Sequence, residues 1–237
     1  MHPSRFGTVK LRRNTRTGTL TYVLKGGHQS AVDRNGRSMD TYIHAIYGLI
    51  MQRPAKTVLM IGCGGGTLGT MLTAAGLKVT IVDIDPAAFV VAKAHFGLPD
   101  GVECLVGDGL AVLHGMRRRF DVLISDAFIG EKTPKHLTGD DFCAAARQRL
   151  KPKGALFINV CLFRRADPTA DCFAARLKDH GWPVRLLDQR GAARNGVILA
   201  GNVKGLRVPK LLLPPDAERA RVRRELKGSR FRPLHKD

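Results

Sequence analysis

The stretch VLMIGCGGGTLG, residues 58–69, limits the possible folds more than any other part of the chain. An apolar run stops at Gly62-Cys63-Gly64-Gly65-Gly66, and TLGTMLTAAG then has helical spacing as far as Gly76. A strand, a glycine turn and a helix in that order bring bare backbone and a helix N-terminus to one end of a parallel sheet. That is where such sheets bind nucleosides and phosphates. Gly62-x-Gly64-x-Gly66 lets the turn tighten and lets a cofactor lie against main chain. Two acids sit beside the same crevice. Asp83 ends the next strand, KVTIVDID, 21 positions after Gly62, where a carboxylate can bind ribose hydroxyls. Asp108, in VGDG, ends the third strand. The alternative reading makes both of them ordinary strand-end turn residues.

The rest of the chain supports this placement. From Thr57 onward, apolar strand-like runs alternate with helical spacing: TVLMIG, KVTIVDID, VECLVGD, FDVLISDAF, GALFINVCL, PVRLLDQ and NGVILAGN are the strands. The pattern predicts an α/β, Rossmann-like fold with a mainly parallel seven-stranded sheet and helices on both faces. The last two strands are expected to be antiparallel to each other. Before this region, TVKLRR, GTLTYVLKG and HQSAVD alternate or are β-branched and are separated by glycine turns, which predicts a small N-terminal antiparallel β-unit. MDTYIHAIYGLIMQ has helical spacing and ends before Pro54. The expected divisions are an N-terminal β-unit over 1–38, a Rossmann-like domain over 39–203 and a basic C-terminal tail over 204–237.

Charge is the unusual bulk property. Lys and Arg number 39 against 20 Asp and Glu, a net charge of +19. Such a field attracts polyanions, so weak nucleic-acid binding through the basic surface is one expectation and a merely solubilising surface is the other. MRRRF at 116–120 reads as a solvated helix end, and DAERARVRRELK in the tail as a short surface helix with an acidic start and a basic end. No apolar run is long enough to span a bilayer, and the N-terminal residues have charge but no apolar signal core. The five cysteines include no CxxC pair and no Cys/His spacing that suits zinc. Reduced thiols, a cytoplasmic location and no metal are the expectations.

The tight Gly62-x-Gly64-x-Gly66 loop, Asp83 and GDG together resemble the fold of S-adenosylmethionine (SAM) transferases. Within that group, the chain from about Leu20 to Asn202 resembles the spermidine synthases, the polyamine aminopropyltransferases. GGHQS resembles the family's GxxQS turn and supplies Gln29. TYIHA resembles its tyrosine-bearing helix and supplies Tyr42. IGCGGGT, DID and GDG resemble its IGGGDGG, EID and GDG, and DAFIGEKTPKHL partly resembles its DxxDPxGP segment, starting at Asp126. The resemblance implies that SAM or decarboxylated SAM is the co-substrate, with Gln29 and the glycines Gly62, Gly64 and Gly66 on the donor, Asp83 on its ribose and Asp108 near its adenine amine. It also implies a small-molecule acceptor, Tyr42 hydrogen-bonded to that acceptor, Asp126 as the base, and a homodimer. A Tyr42 that only packs its ring on the core is the competing reading. His44 is read as a packing residue. His136 is read as an exposed loop residue, with a lid over the acceptor as the alternative.

Two departures matter. The family's loop aspartate is Gly65 here, and the second aspartate of its DxxD segment is Ile129. Both acids would help to hold polyamine-type cations, so a cationic diamine is expected to be poorly held. Loss of the acid at 65 also removes repulsion against the carboxylate of intact SAM. Three functions therefore stand as expectations: alkyl transfer of the aminopropyl type to an amine, SAM-dependent methylation of a small non-polyamine acceptor, and a catalytically silent basic protein that binds nucleic acid.

Overall fold

The alternating segments from Thr57 onward assemble into one sheet because most of their strands are apolar on both faces and must be covered on both. The computed structural model describes residues 2–130, 132–189 and 194–234. Four short strands, β1 (His2–Ser4), β2 (Gly7–Arg13), β3 (Leu20–Leu24) and β4 (Gly27–Val32), form an antiparallel sheet in that order. The helix α1 (Thr41–Ile50) leads to β5 (Thr57–Ile61), α2 (Thr67–Ala74), β6 (Lys78–Asp83), α3 (Pro86–Phe96), β7 (Glu103–Val106), α4 (Gly109–Gly115) and β8 (Phe120–Ser125). A 3-10 turn at Lys135–Leu137 precedes α5 (Asp140–Gln148), β9 (Leu150–Leu162), α6 (Thr169–Asp179), β10 (Val184–Asp188), β11 (Arg194–Gly201), α7 (Arg219–Gly228) and β12 (Arg230–Arg232).

The large sheet has the order β12-β10-β11-β9-β8-β5-β6-β7. Strands β5 to β9 are parallel, while β9–β11, β10–β11 and β10–β12 are antiparallel. The order reverses between β5 and β8, so a crevice opens at the carboxyl ends of those two strands. One core, built on α1, α2 and α3, lies on one face with Ile46, Leu72 and Phe89. A second, built on α4, α5 and α6, lies on the other with Leu113, Phe142 and Phe173. The N-terminal sheet is fixed to α3 by a third cluster that includes Val9, Tyr22, Val91 and Phe96. Among the described residues no helix is long and apolar enough to cross a membrane.

The expected mainly parallel sheet and the N-terminal antiparallel unit are both present, and the large sheet has eight strands rather than seven. The eighth, β12, comes from the basic C-terminal stretch. Its RFR sequence is too short to show a period; long-range contacts place it. Arg232 donates from Nε to Asp188 at 2.8 Å and from both terminal nitrogens to Asp171 at 2.8 Å. Arg194 Nε donates to the other oxygen of Asp188 at 2.7 Å. All four side chains are less than a tenth exposed. Burial alone would raise the Asp188 carboxyl, but the two guanidiniums bring it below its ordinary value. Farther up the same stretch, α7 packs on α1, and Arg221 donates to Met39 O at 2.8 Å and pairs with Glu225 at 3.0 Å. Removing one member of a buried ion network leaves its partners charged and unpaired. Arg232→Met is expected to lower unfolding stability by about 3–5 kcal/mol, read by urea denaturation at neutral pH. A loss below about 1 kcal/mol, the value of a surface pair, would show that β12 is not held this way.

Candidate active site

The crevice is a cleft of ≈ 450 Å³ at the carboxyl ends of the parallel strands, roofed by β4 and α1. Its floor is set by one close approach. Asp126 N donates to Ile61 O, and Gly62 N donates to Val82 O, each at 2.8 Å. These bonds tie the ends of β8, β5 and β6 together. Gly62 has φ +99°, and a Cβ there would lie 2.2 Å from the Asp126 carbonyl oxygen. The glycine is required first by the neighbouring strand.

Asp126 follows β8 and turns its carboxylate into the cleft. The parallel register Ser125↔Ile158 brings Asn159 of β9 alongside it. Asn159 Nδ2 donates to Asp126 Oδ1 at 2.7 Å, and Tyr42 Oη of α1 donates to Oδ2 at 3.3 Å. Asn195 of β11 donates to Asn159 Oδ1 at 3.0 Å, which fixes the direction of that amide. No lysine or arginine among the described residues pairs with Asp126. Burial therefore pushes its carboxyl up to about 7, against the opposing hydrogen bonds of Asn159 and Tyr42 and with a further push from the charge of Asp40. Tyr42 is raised well above an ordinary tyrosine, by burial first and then by the Asp126 charge. Tyr42 packs its ring against the core and lines the cleft, with its hydroxyl on Asp126.

Asp83, at the end of β6, accepts from Cys63 N at 2.8 Å and from Asp85 N at 2.9 Å. It lines the cleft, and burial raises its carboxyl despite those amides. Asp108 caps α4, with one oxygen accepting from Leu110 N and Ala111 N at 3.0 Å. Its other oxygen meets His136 Nε2 at 2.7 Å. Burial alone would raise Asp108; the amides and His136 outweigh it and hold the carboxyl low. His136 is exposed, as read from sequence, and it also lines the cleft. Gln29 also lines the cleft, and its amide nitrogen reaches His28 O at 3.3 Å. His44 is buried, with Nε2 donating to Ser38 O at 2.7 Å, and it packs as expected.

The glycine loop is divided in its roles. Gly62 and Gly64 line the cleft, whereas Gly66 does not. Gly66 caps α2 at φ +67°, and a Cβ there would meet Leu98 at 2.9 Å. At Gly65 a Cβ would meet Phe96 at 2.9 Å and Ser30 at 3.0 Å, and Gly65 N donates to Ser30 Oγ at 2.9 Å. The space an acidic side chain would need is filled by the N-terminal unit and α3. Sequence reasoning missed Ser30, Asp40, Asn159 and Asn195. Asp40 was detectable as the cap-position acid before the Tyr42 helix; the two asparagines were not, because only cross-strand register makes them partners.

Residues 39–174, more than half of the chain, match the family described as the methyltransferase small domain. The chain belongs to that family. It is 28% identical over 122 residues to an N-terminal histidine N-methyltransferase of Emericella nidulans, covering 49% of this chain and 22% of that protein. It is 29% identical over 120 residues to a polyamine aminopropyltransferase of Vibrio vulnificus, covering 48% of this chain and 40% of the relative. The chain thus spans well under half the length of these curated relatives. In fold it is spermidine synthase-like: a probable spermidine synthase from Corynebacterium glutamicum superposes with a TM-score of 0.79 at 15% identity, over 98% of this chain and 90% of that one.

In this methyltransferase-family cleft, the raised Asp126 carboxyl has a consequence for stability. Its folded-state value lies above the unfolded one, so the advantage of the protonated form is complete below about 4 and is lost as pH rises to about 7. Asp126→Asn keeps the shape without the charge. The variant is expected to exceed the wild type by roughly 2–4 kcal/mol at pH 8 relative to the same comparison at pH 4.5. Urea titrations at the two pH values check this, and a pH-independent difference would contradict it.

Proposed function

We propose that this protein transfers an alkyl group from an adenosyl-sulfonium donor, SAM or decarboxylated SAM, to an amine acceptor, with Asp126 as the base. The observation that carries the reading is the Asp126 carboxylate, fixed by Asn159 and Tyr42 at the switch point and titrating near neutrality. A neutral amine nitrogen attacks a carbon bonded to the sulfonium sulfur, the C–S bond breaks, and a neutral thioether leaves. The new ammonium carries one proton too many, and Asp126 accepts it. A base with a value near 7 takes a proton at neutral pH far better than an ordinary carboxylate.

The rest of the cleft suits two positively charged reactants. Asp40, Asp83, Asp85, Asp108 and Asp126 all line it, and its basic side chains among the described residues are His28, His136 and Arg194. Arg194 is committed to Asp188. The field at the site is negative although the whole chain is at +19. This offsets the long-range repulsion expected for a cationic acceptor and supports keeping amines as the acceptor class. Asp83 would hold the donor ribose, and Asp108 would face its adenine. Each keeps a carboxylate on the cleft while its local amides hold it in place.

Methyl transfer from intact SAM is the second reading, and Gly65 favours it. The loop acid of the aminopropyltransferases is missing here, and its place is closed by Phe96 and Ser30. Calorimetric titration with SAM, decarboxylated SAM and methylthioadenosine separates the two: tighter binding of SAM selects methyl transfer, and tighter binding of decarboxylated SAM selects aminopropyl transfer. For either donor, Asp126→Asn is expected to bind it unchanged while kcat falls by about 10²–10⁴-fold. The wild-type rate should rise about tenfold per pH unit below about 7 and then level as Asp126 ionises. A variant with wild-type kcat, or failure of all three nucleosides to bind, would overturn the proposal.

A further inference from the structure

A second depression, a groove of ≈ 1010 Å³, lies at the amino ends of the parallel strands. The donor cleft opens at their carboxyl ends, so the two sites are on opposite edges of the sheet. The groove is lined by Arg119, Arg147, Lys151, Lys153 and Lys204, and none of its lining residues among the described ones is acidic. Lys151 is the one of these five already engaged, with Asp121 at 3.0 Å. Arg119, Arg147, Lys153 and Lys204 meet no carboxylate among the described residues. Topology explains the concentration: Arg119 directly precedes β8, Lys151 and Lys153 are the second and fourth residues of its parallel neighbour β9, and Lys204 follows β11, which runs antiparallel and therefore ends at the same edge.

Trp182, the only tryptophan of the chain, forms part of the wall. The Arg147 guanidinium stacks 4.7 Å from its ring centroid. Trp182 is 6% exposed, and its indole N–H has no hydrogen-bond acceptor. A ligand that draws on the Arg147 guanidinium therefore alters the surroundings of the indole ring. Farther along the basic C-terminal stretch that begins with Lys204, Arg219, Arg221 and Arg232 pair with acids of the same chain.

We infer that this groove binds the phosphate backbone of a nucleic acid. Cations contributed by four separate segments suit a run of successive phosphates more than one compact anion. Phosphate contacts of this kind give affinity without base reading. The site does not depend on the transferase reading, because its readouts need no donor or acceptor.

The test is fluorescence anisotropy of a labelled single-stranded RNA of about 20 nucleotides, a length that spans one binding site with room to spare, together with the intrinsic fluorescence of Trp182. Binding through four cations predicts a slope of log K against log salt of about −3. The triple variant Arg147→Ala/Lys153→Ala/Lys204→Ala is expected to weaken binding by more than about tenfold and to reduce the slope to about −1. Arg12→Ala/Arg13→Ala/Arg16→Ala removes the same charge from exposed positions of β2 and the turn after it and is expected to stay within about twofold of wild type. RNA should change Trp182 emission in the wild type. Equal losses in both triple variants, an unmoved tryptophan signal, or no RNA binding at low salt would overturn the inference. So would displacement of the RNA by pyrophosphate at an equal phosphate concentration, which would assign the groove to a small phosphate instead.

Discussion

Everything at the candidate site depends on how closely the end of β8 passes the end of β5. The Asp126 carbonyl occupies the space where a side chain at position 62 would begin, so only glycine lets the two strand ends meet. From that contact follow the direction of the Asp126 carboxylate, its placement beside Asn159, and its distance from Tyr42. The same residue that would be named a cofactor glycine from its motif is first a structural requirement for placing Asp126. Bare backbone facing the cleft is a consequence of this packing as much as a device for binding a donor.

The electrostatics are organised along the strand direction. Parallel strands put all their carboxyl ends on one edge, and the carboxylates Asp83, Asp108 and Asp126 collect there from three different strands. Their amino ends collect Arg119, Lys151 and Lys153 on the other. A chain with a net charge of +19 therefore presents an acidic cleft on one edge and a basic groove on the opposite one. Net charge describes long-range attraction, whereas short-range selection belongs to the groups within a few ångströms of the ligand. The two scales carry opposite signs in this protein.

Much of this was legible in the sequence. Strand–helix alternation gave the sheet because parallel strands are apolar throughout and their helices keep a 3.6-residue period. Pro86 opens α3 behind its Asp85 cap, and Gly97 closes it at φ +71°, so even the limits of that helix were written locally. What stayed hidden was what depends on register or on distant chain. Asn159 looks like one polar residue in an apolar strand until β8 lies beside it. Ser30 gives no sign that it fills the glycine loop. The pairing of β12 depends on Arg232 meeting two acids 44 and 61 residues away. Nor does composition show that Arg219, Arg221 and Arg232 of the C-terminal stretch are paired with acids of the same chain.

The account stands or falls on the state of one carboxyl group. Carbon-detected NMR titration of protein labelled with ¹³C at the aspartate carboxyls, assigned by comparison with Asp126→Asn, reports that group directly. The structure predicts a midpoint for Asp126 near 7. A midpoint near 4, the ordinary aspartate value, would mean that the cleft neither desolvates Asp126 nor prepares it to accept a proton.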